Sequence, residues 1–168
     1  MERALGEENV VTLETLNSLG AKLEPNGEFE ESKEVYERCL AGRMKVLGGE
    51  HKNTLGTLSN LGVAYWELRN NEKALEYYEG SERMLGKTHP RTLDTVMNIA
   101  CVYDEGLENY GKAEELYESA LEGKEAQLGK DEENTIRSAR NLRNCLVRSG
   151  NYERLAQLLA VYPKLKTN

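Results

Sequence analysis

The sequence predicts an all-α fold, a solenoid of four helix–turn–helix repeats with about eight helices. Three observations lead there. Apolar residues recur at three- and four-residue spacing through most of the chain, the pattern of one buried helical face. A threonine opens each cycle, at Thr12, Thr54, Thr92 and Thr135, separated by 42, 38 and 43 residues. A Leu-Gly pair closes each cycle, at Leu5-Gly6, Leu47-Gly48, Leu85-Gly86 and Leu128-Gly129, and every one of these glycines precedes its threonine by six residues. Constancy of that kind marks a repeat without any appeal to propensity.

The first repeat, about 7–48, predicts helix A near Val11–Leu23, a turn at Pro25-Asn26-Gly27 and helix B near Phe29–Leu47. The second, 49–86, predicts helix A near Thr54–Leu68, a turn at Arg69-Asn70-Asn71 and helix B near Glu72–Leu85. That helix B is about one turn shorter than its counterpart in the third repeat, so its apolar face stays in phase. The third repeat, 87–129, is the clearest. Leu93, Val96, Ile99, Ala100 and Tyr103 share a face, with His89-Pro90 ahead of them and Thr92 as candidate N-cap. Gly106 and Asn109 break the pattern, and Ala113, Leu116, Tyr117, Ala120, Leu121 and Leu128 resume it. The fourth, 130–163, predicts helices near Asn134–Arg148 and Tyr152–Val161 about a Ser149-Gly150-Asn151 turn. Residues 1–6 read as the remnant of a preceding helix B. The expectation is one solenoid over residues 1–168, with a finished C-terminal end and an open N-terminal one.

Composition narrows the functions. The chain has 168 residues, 39% hydrophobic and 30% charged, with a net charge of −7. That balance suits a globular protein and disfavours nucleic-acid binding, which needs a basic stripe. No run approaches the length of a membrane span. Cys39, Cys101 and Cys145 lie far apart within predicted helices and read as buried thiols in a reducing compartment. Cytoplasm is the expected location, with an organelle interior after removal of a targeting peptide as the alternative. His51 and His89 occupy the same slot between helices and read as turn residues. There is no phosphate-binding glycine loop and no nucleophile elbow, so neither a catalytic residue nor a cofactor or metal site is expected.

The residue pattern resembles the tetratricopeptide repeat, in the long form of about 42 residues found in kinesin light chains. It is carried by Leu85, Gly86, His89, Pro90, Thr92, Leu93, Asn98, Ile99, Ala100, Tyr103, Lys112, Ala113 and Tyr117. His51, Thr54, Leu55, Asn60, Leu61, Gly62, Tyr65, Lys73, Ala74 and Tyr78 repeat it one cycle earlier. Small residues at Gly20, Gly62 and Ala100 fit the closest approach of the two helices of a repeat. Repeat four departs there, with Arg143 in that slot and Leu155 where Ala74 and Ala113 stand. No sustained heptad is present, so the coiled coil of a kinesin light chain is not expected.

The resemblance implies a right-handed superhelix whose concave wall, built mainly from helix A, binds a peptide or protein segment. It places Glu14, Asn17, Ser18 and Glu24 of the first repeat on that wall, and Asn60, Trp66 and Glu67 of the second. Asp94, Asn98, Cys101 and Asp104 follow in the third, and Arg137, Arg140, Asn141, Asn144 and Arg148 in the fourth. Ser18, Asn60, Asn98 and Asn141 share one position, a ladder suited either to a ligand's backbone or to bonding a neighbouring helix. The wall runs from acidic Glu14, Glu24, Asp94 and Asp104 to basic Arg137, Arg140 and Arg148. The expected function is a non-enzymatic interaction module with a protein or peptide partner. A structural subunit of a multi-protein complex, docked by its N-terminal edge and convex surface, is the alternative.

Overall fold

Helices form where the periodicity puts them. In the computed structural model, which describes Gly6 and residues 9–85 and 90–166, they are α1 (Val10–Leu23), α2 (Phe29–Val46), α3 (Lys52–Glu67), α4 (Asn71–Leu85), α5 (Pro90–Cys101), α6 (Tyr110–Leu128), α7 (Glu133–Ser149) and α8 (Tyr152–Val161). Short 3-10 turns follow α1 at Glu24–Asn26 and α8 at Pro163–Lys166. No strand occurs among the described residues. The chain divides into two compact units, Met1–Gly86 and Lys87–Asn168, each with two helix pairs. The proposed helical remnant at residues 1–6 lies outside the described residues except for Gly6.

The recurring threonine is not the N-cap. It is the third residue of each first helix, because α1, α3, α5 and α7 start two residues before Thr12, Thr54, Thr92 and Thr135. Asn9 caps α1 by accepting from the Val11 N–H at 2.9 Å, and His51 caps α3 through Nδ1, accepting from the Asn53 N–H at 3.2 Å. Thr54 instead turns back and donates to the Gly48 carbonyl at 2.8 Å, which explains a fixed six-residue spacing. Gly48 itself takes φ 82°, a conformation glycine reaches without steric cost. His51 is therefore a capping residue; His89 lies outside the described residues.

The small-residue slot also has a direct cause. A Cβ on Gly20 would stand 2.6 Å from the Tyr36 ring, and one on Gly62 would stand 2.4 Å from Tyr78. Both tyrosines are fully buried, so each pins helix B against helix A of its own repeat. In repeat four the slot holds Arg143, whose Nη1 donates to the Leu165 carbonyl at 3.0 Å and ties down the 3-10 turn after α8. Leu165 and Tyr162 join the core of the second unit with Leu142, Leu146 and Tyr117.

The turns between paired helices share a cap. Asn70, Asn109 and Asn151 accept from the backbone N–H groups of Lys73, Lys112 and Arg154 at 3.1–3.2 Å, and the residue before each has positive φ: Arg69, Glu108 and Gly150. Repeat three carries one more residue in this turn than repeat two. The chain absorbs it as a π-turn over Val102–Gly106, in which the Leu107 N–H reaches the Val102 carbonyl at 3.0 Å. Widening the helix by one residue is how a π-turn takes up such an insertion.

Candidate partner-binding surface

In the first unit, helices α1 and α3 supply the expected binding residues. Ser18 is exposed and spends its hydroxyl on its own helix, donating to the Glu14 carbonyl at 2.9 Å. Asn17 is engaged by Arg43 from α2, whose Nη1 donates to Asn17 Oδ1 at 3.1 Å, to the Asn53 carbonyl at 2.8 Å and to Thr57 Oγ1 at 2.7 Å. Arg43 is only 5% exposed. It joins the two repeats by hydrogen bonds to neutral groups. Asn60 is half-buried, and its amide makes no hydrogen bond among the described residues. Trp66 is half-buried, with its Nε1 enclosed and without a hydrogen bond among the described residues.

In the second unit, the expected charges are largely spoken for. Asp94 is exposed and pairs with Lys124, which is 4% exposed, through an Nζ–Oδ1 contact of 2.7 Å. Asp104 is buried. Arg148 forks onto it, with Nε donating to Oδ1 at 3.0 Å and Nη2 to Oδ2, and reaches Glu105 at 3.5 Å. The Tyr117 hydroxyl lies 3.4 Å from Asp104 Oδ2 and 3.1 Å from Cys101 Sγ. Asn144 accepts from Arg143. Asn98 and Asn141 are half-buried, with no hydrogen bond from their amides among the described residues. Arg137 and Arg140 are exposed and without an ion pair among the described residues.

Two groups in these networks escaped the sequence reading. Arg43 and Lys124 sit on helix B, within runs of solvated charge, and only the phase of their own helix marks them as buried. They occupy matching positions 81 residues apart. The acid-to-base gradient also changes meaning, because its strongest members in the second unit, Asp104 and Arg148, neutralise each other.

The three thiols are free, and burial raises each one: Cys145 is pushed up to about 12, helped by the negative charge of Asp104 and Glu114, and Cys39 and Cys101 lie above the ordinary thiol range. Thiolate nucleophilicity is suppressed at neutral pH. Among the described residues no cluster of His, Cys, Asp and Glu could hold a metal ion, and no helix is long and apolar enough to cross a membrane.

Residues 11–85 match the family model described as tetratricopeptide repeat. The kinesin light chain TPR-like repeats of Podosopora anserina superpose with a TM-score of 0.80 at 23% identity, covering 93% of this chain and 76% of that one. The fold is that of kinesin-light-chain-like tetratricopeptide repeats. BtubC (BKLC) from P. vanneervenii shares it with a TM-score of 0.81 at 16% identity, over 92% of this chain and 63% of its own. The Sgt2 TPR domain of Aspergillus fumigatus is more distant, with a TM-score of 0.62 at 20% identity over 84% of this chain and 82% of that domain. No curated protein matches the sequence. The buried tyrosine facing a glycine is the joint that holds together the helix pairs of the first two repeats.

Proposed function

We propose that this chain is a non-enzymatic interaction module that holds a peptide or protein segment against the concave, helix-A side of its repeats. The observation that carries this reading is the set of half-buried amides at Asn60, Asn98 and Asn141, unengaged among the described residues. A half-buried amide with both a donor and an acceptor free suits the main chain of a ligand whatever its sequence. Arg137 and Arg140, exposed and without an ion pair among the described residues, add positive charge in the fourth repeat, where an acidic segment fits. Selection of a displayed random-peptide library against the full chain tests this. Binders should weaken about tenfold with Asn98→Ala and again with Asn141→Ala, the scale of one lost hydrogen bond to each, and acidic binders should be lost with Arg137→Glu and Arg140→Glu. Binding indifferent to all four changes would exclude the helix-A side.

The second reading, a subunit docked by its N-terminal edge, draws on α1, where Val10, Val11 and Leu19 are 42%, 46% and 45% exposed. Under it, partner binding survives the groove substitutions and fails with Val10→Ser and Leu19→Ser.

A further inference from the structure

The two units solve the same local problem differently. In the second, Asp104 at the end of the first helix pair's helix A is buried, the hydroxyl of Tyr117 points to it, and Arg148 from the next helix A neutralises it. The matching residues of the first unit are Glu24, Tyr36 and Glu67. The acid and the tyrosine are kept, but the arginine is replaced by a second carboxylate. Tyr36 is 0% exposed and its hydroxyl lies beside the Glu24 carboxyl; among the described residues neither that hydroxyl nor Glu24 Oε1 makes a hydrogen bond of ordinary geometry. Among the described residues neither Glu24 nor Glu67 has an ion-pair partner.

Physical chemistry makes this arrangement unstable on its own and receptive to a cation. Burial raises the Glu24 carboxyl above the usual carboxylate range, and the negative charge of Glu67 raises it further, against the lowering by the nearby Tyr36 hydroxyl. Cys101 and Cys145, which flank Tyr117 and Asp104, have Ala21 and Ala64 as their counterparts.

We propose that Glu24, Glu67 and Tyr36 form a guanidinium site, in which an arginine side chain of a protein partner lies where Arg148 lies in the second unit. This rests on the reading of the chain as an interaction module and names one residue type its partner must carry. The planar fork of arginine, with its five donors, matches two carboxylates and a phenol oxygen in a way the point charge of lysine does not. The chain's own second unit is the template for that geometry.

The probe is N-acetyl-arginine amide, titrated into the full chain and followed by the fluorescence of Trp66, the only tryptophan and the neighbour of Glu67, and by NMR of the glutamate carboxyl carbons. The expected result is saturable binding that shifts Glu24 and Glu67, weaker binding of N-acetyl-lysine amide, and none of N-acetyl-citrulline amide, which has the shape without the charge. Glu67→Gln, an exposed near-isosteric change, should weaken the arginine probe about tenfold. Glu67→Arg should abolish binding and raise the melting temperature by restoring the pair seen in the second unit. Equal binding of the citrulline probe, an unchanged response in Glu67→Gln, or no response of the carboxyl carbons each overturns the site. A dimer on sedimentation that dissociates in Glu67→Gln overturns the assignment to a separate partner, since a second copy would then supply the arginine. If library-selected peptides still bind while the arginine probe does not, this site fails and the interaction module stands.

Discussion

Asp104 is the residue on which the second unit depends most. Its side chain has no solvent exposure, and Arg148, Tyr117 and the Cys145 thiol surround it. Removing one partner of a buried pair leaves a charge without compensation and costs more than the pair contributes when intact. Arg148→Ala should therefore destabilise the protein by about 3 kcal/mol in urea denaturation, and Asp104→Asn placed on top should recover most of that loss. The residues of this network all stand in the sequence, and the resemblance to the repeat family puts two of them, Asp104 and Arg148, on the binding wall by their position in helix A. Phase reports which face a side chain leaves from. It does not report that a long side chain such as Arg148 folds back onto an acid 44 residues earlier, and that is why the charge gradient looked open when it was partly closed.

Between helices, the limiting contact is the tyrosine ring against a missing Cβ. Tyr78 lies fully inside the first unit and cannot swing away, so a methyl at position 62 would have to push α3 and α4 apart. Gly62→Ala should cost about 1–3 kcal/mol, read as a lower urea midpoint with an unchanged slope. The third repeat accepts Ala100 at this place, which sets the low end of that range as the better expectation. Helix positions were legible because each helix carries a clean apolar stripe and each turn carries Gly or Asn. The N-cap was misplaced because threonine is a good cap by composition. Only the structure shows the Thr54 hydroxyl reaching backward to the Gly48 carbonyl rather than forward into its own helix. Equivalent burial at Thr12 and Thr135 without such a bond shows that the position is kept for packing as well.

Over the whole chain, the two units repeat one plan with different electrostatics. The first leaves Arg43 and Glu24 buried or half-buried without an ion pair among the described residues, while the second pairs Lys124 with Asp94 and Arg148 with Asp104. The second unit should be the more stable of the two. Cys39 reports on the first and Cys145 on the second, and both are completely buried. Thiol labelling across a urea series should expose Cys39 at lower urea than Cys145, and coincident exposure would show that the chain unfolds as one cooperative block. The fold class was readable from end to end, since a repeat states its own period. The pairing of charges was not, because it depends on which of two homologous positions holds an acid and which a base.

The widened turn at Val102–Gly106 has a different consequence. The extra residue widens the end of the helix and leaves Leu107 and Glu108 exposed, while Tyr117 stays buried. Chain length is thereby uncoupled from packing at this one place. Related chains should gain or lose residues there before they do so inside any helix, and the loop is the natural point at which a longer insert could be spliced in without rethreading the core.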